Sequence, residues 1–223
     1  MERFAVIGLG RFGSRLASLL TAGGAEVIAI DSNRELVEGI SEQVTLAVCL
    51  DCTDEDALRA QGVDKVGCAI VGIGSDLEIS SLTTVILKQL GVPRVLARAT
   101  SPVHAQILSR IGADGIVNPE HESAERWRDR LLAPAIMERI TLAEGHSLVQ
   151  VAAPESFHGK SLAELNVHKR HHVLVVAIQR GEAGEGKKGK KVIPGPGPDD
   201  VIQPGDILML VGRDEAVARF PSG

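Results

Sequence analysis

Apolar residues in the first half of the chain fall into short unbroken runs, each followed by a segment with helical spacing. Unbroken runs suit strands buried on both faces, as in a parallel sheet covered by helices, whereas strict alternation would mark a sheet with one wet face. The pattern predicts strands at Phe4–Gly8, Val27–Asp31, Thr45–Leu50, Ala69–Ile73, Val95–Ala99 and Gly115–Val117. Helical patterning lies between them at Ser14–Thr21, Glu35–Ser41, Glu55–Gln61, Leu77–Leu90 and Val103–Ile111. This rhythm predicts an α/β fold with a Rossmann-like, doubly wound parallel sheet. A longer helical stretch is expected from His121 to about Ile140, kinked at Pro134, which cannot donate a hydrogen bond and crowds the turn before it. Leu131, Leu132, Ile136 and Ile140 would share its apolar face.

After Gly145 the pattern changes to short β runs, Leu148–Ala152, Val173–Gln179 and Ile207–Val211, separated by Gly- and Pro-rich turns. A second, smaller α+β domain is expected there. The division reads as residues 1–118, a crossover helix at 119–143, and 144–223. Gly184–Lys191, followed by Pro194-Gly195-Pro196-Gly197-Pro198, reads as an extended mobile hairpin loop. Such a basic loop is either solvated or in contact with an anionic ligand or lipid headgroups.

The first predicted strand runs into Gly8-Leu9-Gly10-Arg11-Phe12-Gly13, and the second ends at Asp31. Strand, GxGxxG turn, helix and a later acid together form a dinucleotide-binding signature, which the glycines alone would not. Gly8 permits the tight turn, Gly10 lets backbone amides approach a phosphate, and Gly13 lets the helix sit against the strand. The helix start supplies free N–H groups and partial positive charge. Asp31 would accept hydrogen bonds from ribose hydroxyls.

Composition narrows the partners. The 24 basic and 29 acidic residues leave a net charge of −5, and aromatics are 2% of the chain, so neither an electrostatic footprint nor stacking platforms for nucleic acid are present. Strand-like residues begin almost at once, without a signal-peptide pattern, and no apolar run is long enough to cross a bilayer; a cytosolic protein is expected. Cys49, Cys52 and Cys68 make an odd count, which argues against a disulfide framework. Cys49-Leu50-Asp51-Cys52 has CxxC spacing but stands at a strand end, so packing is the expected role, with a redox or metal site as the alternative.

Several segments together are more specific. FAVIGLGRFG at Phe4–Gly13, AIDSN at Ala29–Asn33, LDCTDEDAL at Leu50–Leu58, SSLTTVILKQLGVPRVLARA at Ser80–Ala99 and IGADGIVNPE at Ile111–Glu120 resemble the KTN/RCK family. SLAELNV at Ser161–Val167 and PDDVIQPGDILMLVG at Pro198–Gly212 resemble its second domain, so the likeness to RCK-N plus RCK-C covers nearly the whole chain. The family comprises cytosolic gating subunits of Ktr- and Trk-type potassium-uptake systems, and the likeness is greatest to the Ktr type. It implies a nucleotide-sensing regulator, not an enzyme. Such a regulator partners a membrane-embedded cation channel subunit at the inner face of the membrane and forms homodimers in an octameric ring.

The resemblance also implies roles. Arg11 would reach the terminal phosphate of ATP, Asp31 the ribose, and Asp51 with Thr53 the adenine side. Gly72, Ile73 and Gly74 would lie near sugar and phosphates, and Arg98 would face the phosphates. The cofactor-binding set is therefore Gly8, Gly10, Arg11, Phe12, Gly13, Asp31, Asp51, Thr53, Ile73, Gly74 and Arg98, for ATP or ADP, with NAD(H) the weaker fit. Glu120, in Asn118-Pro119-Glu120 where the family has a histidine before the proline, would share Mg²⁺ or Ca²⁺ with its symmetry mate. Plainer roles stand beside these: Arg11 on a solvated helix face, Asp51 as a helix cap, Arg98 paired with a surface carboxylate, and Glu120 at a helix start. Relatives bind cyclic di-AMP around the segment matching Leu165–Val176; this chain keeps its basic character but not the commoner Arg-Ala-Lys pattern. The competing classes are an NAD(P)-dependent oxidoreductase, for which the second domain offers no catalytic constellation, and an NAD-binding redox sensor using Cys49 and Cys52.

Overall fold

A computed structural model of the chain describes residues 2–132, 136–180 and 191–221. The chain divides into two compact units, Met1–Ser123 and Ala124–Gly223. The first contains β1 (Arg3–Ile7), α1 (Arg11–Ala22), β2 (Glu26–Asp31), α2 (Arg34–Ile40), β3 (Leu46–Cys49), α3 (Glu55–Ala60) and β4 (Cys68–Val71). It continues through α4 (Leu77–Gln89), β5 (Arg94–Arg98), α5 (Pro102–Arg110), β6 (Gly115–Val117) and the start of α6 (Pro119–Leu132).

The six strands form one parallel sheet in the order β3-β2-β1-β4-β5-β6. The order reverses between β1 and β4, which opens a crevice beyond their carboxyl ends, the usual ligand position in a doubly wound sheet. Successive side chains of a strand point to opposite faces. Ala5, Ile7, Ile28, Ile30, Ala69 and Val71 accordingly pack into one core, and Val6, Val27, Ala29, Cys68 and Ile70 into the other. Two covered faces are why these strands are apolar throughout.

The second unit contains β7 (Ile136–Ala143), β8 (His146–Ala152), α7 (Leu162–Leu165), α8 (Val167–His171), β9 (Val173–Arg180), β10 (Lys191–Pro194), β11 (Ile207–Arg213) and α9 (Asp214–Ala218). Its strands form an antiparallel sheet in the order β10-β9-β11-β8-β7 over a core that includes Phe157, Ile178, Ile202, Leu208 and Leu210. Asp206 is fully buried, and its two carboxylate oxygens accept from Nε and Nη2 of Arg180, each at 3.0 Å.

Two expectations are corrected. The helix predicted from His121 to Ile140 ends at Leu132, and Ile136–Ala143 is a strand paired with β8. Ile136 and Ile140 therefore do not continue a helical face. Pro134, the expected kink, lies outside the described residues, as do 184–190 of the expected hairpin loop. Lys191–Pro194, at the end of that loop, is strand β10 and pairs with β9. No described helix is long and apolar enough to cross a membrane.

Candidate functional site

The glycine turn links β1 to α1 across the top of the sheet. Gly8 has φ +92°, and a Cβ there would stand 2.8 Å from Ile73 Cγ1 and 3.0 Å from Ile73 N, so both backbone geometry and space require glycine. A Cβ on Gly13 would overlap the Gly8 carbonyl oxygen, which is how α1 packs so closely on the strand. A Cβ on Gly10 would meet no protein atom within 4 Å. That glycine faces open space and leaves the backbone approachable.

The start of α1 differs from the other helices of this unit. Asn33, Asp54, Asp76, Ser101 and Asn118 accept from first-turn amides of α2, α3, α4, α5 and α6. Gly10 begins α1 with no side-chain cap, and no acid stands in its first turn. Its amides and positive dipole end are thus left for an external anion. Arg11, the first helical residue, adds a full charge there.

A cleft of about 650 Å³ lies over this turn, lined by Gly8, Gly10, Arg11, Asp31, Asp51, Ile73, Gly74 and Arg98 of the expected set. Strand order sorts their charges. Asp31 ends β2 and Asp51 follows β3 on one side of the glycine turn, while Arg98 ends β5 on the other. Asp31 Oδ2 accepts from Leu9 N at 2.6 Å and Oδ1 from Asn33 N at 2.8 Å. A carboxylate oxygen has more than one acceptor site, so capacity for hydroxyl donors remains. Asp51 does not cap α3; Asp54 does. Instead the amide and hydroxyl of Thr53 both donate to Asp51 Oδ1, at 2.9 and 2.7 Å, and hold its carboxyl below the usual range.

Arg98 reaches toward Gly74, where a Cβ would lie 2.7 Å from Nη1. Its Nη2 donates to Glu120 Oε1 at 2.6 Å. Glu120 stands in the first turn of α6, and its own backbone amide, with Arg98 and more remotely Arg11, holds its carboxyl below the usual range against a contribution from burial. Among the described residues no three His, Cys, Asp or Glu side chains gather as a cation site. The Glu120 carboxylate, expected at a metal, is here paired to Arg98.

Some expected positions lie apart from the cleft. Phe12 is partly buried against the core that contains Val6 and Leu9 and does not line the cleft, so its backbone is what belongs to the turn. Gly13 is buried and acts through packing, and Thr53 serves Asp51. Cys49 is exposed outside the cleft, whereas Cys52 is buried at its wall, and both are free thiols. Burial pushes the Cys52 thiol up, away from the reactive thiolate, with donation from Thr83 opposing it. Ser75, Asp76, Ile79 and Thr100 line the cleft without having been anticipated. The signal for Asp76 was its place just before the apolar face of α4, since it caps that helix by accepting from Ile79 N.

In the second unit, Arg170, His171, His172, Arg213 and Arg219, with Glu215, surround a recess of about 540 Å³. The segment Leu165–Val176 thus keeps a basic side, and α8 ends at His172 in the left-handed conformation, φ +57°.

Residues 4–119 match the TrkA-N domain and residues 146–221 the TrkA-C domain. The Ktr system potassium uptake protein C of Bacillus subtilis is 36% identical over 219 residues, covering 98% of this chain and 96% of that protein. The Ktr system potassium uptake protein A of the same organism is 32% identical, covering 98% and 95%. Among solved structures, the GsuK channel bound to NAD superposes with a TM-score of 0.55 at 25% identity, covering 99% of this chain. This chain spans 38% of that channel's length.

Proposed function

The chain belongs to the family built from TrkA-N and TrkA-C domains, and from that premise we propose that it is a nucleotide-sensing regulatory subunit of a Ktr-type potassium-uptake system. The observation that carries the reading is the cleft: an uncapped, acid-free helix start beside two guanidinium groups, with two carboxylates across the sheet. That arrangement matches phosphates at one end and a ribose at the other. ATP or ADP is preferred over NAD(H) because Arg11 suits a terminal phosphate, with Gly8, Gly10, Ile73, Gly74 and Arg98 shaping the rest. Identity of 36% and 32% to potassium uptake proteins over 98% of the chain supports a regulator over an oxidoreductase.

In this reading the protein is cytoplasmic, docks on a membrane-embedded cation channel subunit, and assembles as dimers in an octameric ring. ATP favours one dimer geometry and ADP another, and the difference in population reaches the pore. Mg²⁺ or Ca²⁺ enters only where two copies bring two Glu120 carboxylates to two terminal phosphates. Cyclic di-AMP is retained as a ligand to assay in the second unit, on the basic segment Leu165–Val176. Calorimetry tests the central choice: ATP and ADP are expected to bind at least about tenfold more tightly than NADH, as one charge-assisted contact allows. A clear preference for NADH rejects it. Light scattering showing only monomer at micromolar concentration, with and without ATP, removes the ring.

A further inference from the structure

Arg180 and Arg98 each hold a carboxylate, and they do so differently. Arg180 engages Asp206 through both Nε and Nη2, the side-on fork of the guanidinium, one donor to each oxygen. Arg98 offers the same fork, but only Nη2 reaches Glu120 Oε1, and Nε is buried with no hydrogen-bond partner. The Arg98 side chain is 20% exposed and Glu120 63% exposed. A buried N–H without an acceptor is costly, and a guanidinium fork is most stable with two oxygens of one anion. Arg98 is therefore half satisfied, and it lines the cleft beside Gly74 and Thr100, whereas Glu120 does not.

We propose that Glu120 is an internal stand-in for a phosphate. It holds Arg98 when no phosphate does, and a phosphate entering the cleft takes the whole Nε/Nη2 fork and displaces the carboxylate. The proposal rests on the nucleotide reading above and deepens it. Two anions cannot share one fork, and mutual repulsion favours the exchange over a three-way contact. Filling the cleft would then release Glu120 at the first turn of α6, so that phosphate occupancy is reported at the point where the chain leaves the first unit. The pair sets a threshold as well: a ligand must outcompete Glu120, which adenosine, lacking phosphate, does not attempt.

The test is calorimetry of ADP and adenosine on the full chain as wild type, Glu120→Gln, Arg98→Gln and the double variant. An ion pair with one exposed partner is worth up to about a fivefold change in an equilibrium. Glu120→Gln should tighten ADP by about twofold to fivefold and leave adenosine unchanged, and the gain should vanish in the Arg98→Gln background. If Glu120→Gln leaves ADP unchanged or weakens it, Glu120 holds Arg98 in place for the ligand and the exchange is wrong. If the gain persists without Arg98, it is simple charge repulsion and the exchange is equally wrong. A second readout covers a poorly folded Arg98→Gln: the Arg98 Nε–H resonance, assigned by its loss in Arg98→Lys, followed during titration with pyrophosphate. Its midpoint should fall in Glu120→Gln; an equal or higher midpoint overturns the proposal. Pyrophosphate acting as expected while ADP binds no better than pyrophosphate would sink the nucleotide reading and leave the exchange standing.

Discussion

Replacing Arg11 with alanine isolates one contact at the phosphate end of the cleft. Arg11 is exposed at the start of α1, and among the described residues it forms no hydrogen bond or ion pair. Little folded-state energy is lost with it; a surface substitution of this kind stays within about 0.5 kcal/mol in stability. The change in binding then reports on the ligand alone. A charge-assisted hydrogen bond to a phosphate is worth about 1.5–3 kcal/mol, which converts to about 10- to 150-fold in dissociation constant. If the guanidinium meets the terminal phosphate, that loss applies to ATP, while AMP, which lacks the last two phosphates, loses much less. Calorimetry with ATP, ADP and AMP on wild type and Arg11→Ala, with thermal melts as the folding control, reads both quantities. Equal losses for ATP and AMP would refute the reasoning and return Arg11 to a solvated helix face.

Three further outcomes test the physical account. Gly8→Ala should cost about 1–3 kcal/mol in urea unfolding, since the residue would be strained at φ +92° and would press on Ile73; a change near zero means the turn relaxes more than its packing suggests. Asp206→Ala should cost about 2–4 kcal/mol by stranding Arg180, whereas Glu26→Ala, which breaks the exposed pair with Arg3, should cost under about 1 kcal/mol. Asp114 is held below the usual carboxylate range by donation from Val95 N and then from Lys88. A depressed folded value means its stabilisation is complete above the unfolded carboxyl pKa of about 4 and is lost as pH falls through the folded value. Asp114→Asn should therefore flatten the acid limb of the stability curve.

Much of the first unit was legible because both faces of its sheet are covered. Ala5 and Ile7 serve one core and Val6 the other, so the strand reads as a single apolar run. The second unit carries a weaker signal. Met137, Ile140 and Leu142 are about half exposed on β7, and the spacing of Leu132, Ile136 and Ile140 also fits a helix. Pairing with β8 decides the matter, and one-dimensional periodicity does not contain that pairing. β10 was hidden by its place beside a glycine- and lysine-rich stretch. In the site, the motif identified the glycines whose spacing is local. It also drew in Phe12, which is partly buried against the core and does not line the cleft, because a motif records positions and not the direction of a side chain. The Arg98–Glu120 pair spans 22 residues and depends on β5 and the start of α6 lying together at the sheet edge. The sequence offered a surface carboxylate for Arg98 as a plain alternative without saying which.

The central claim is that nucleotide in this cleft controls potassium flow, and flux through vesicles tests it most directly. Vesicles carrying the membrane subunit of a Ktr system would be assayed with this protein added in the presence of ATP, then of ADP, and again with Arg11→Ala. The account predicts that the protein alters flux, that ATP and ADP give different rates, and that Arg11→Ala narrows the difference. Identical rates with either nucleotide, under conditions where calorimetry shows both bound, would contradict it.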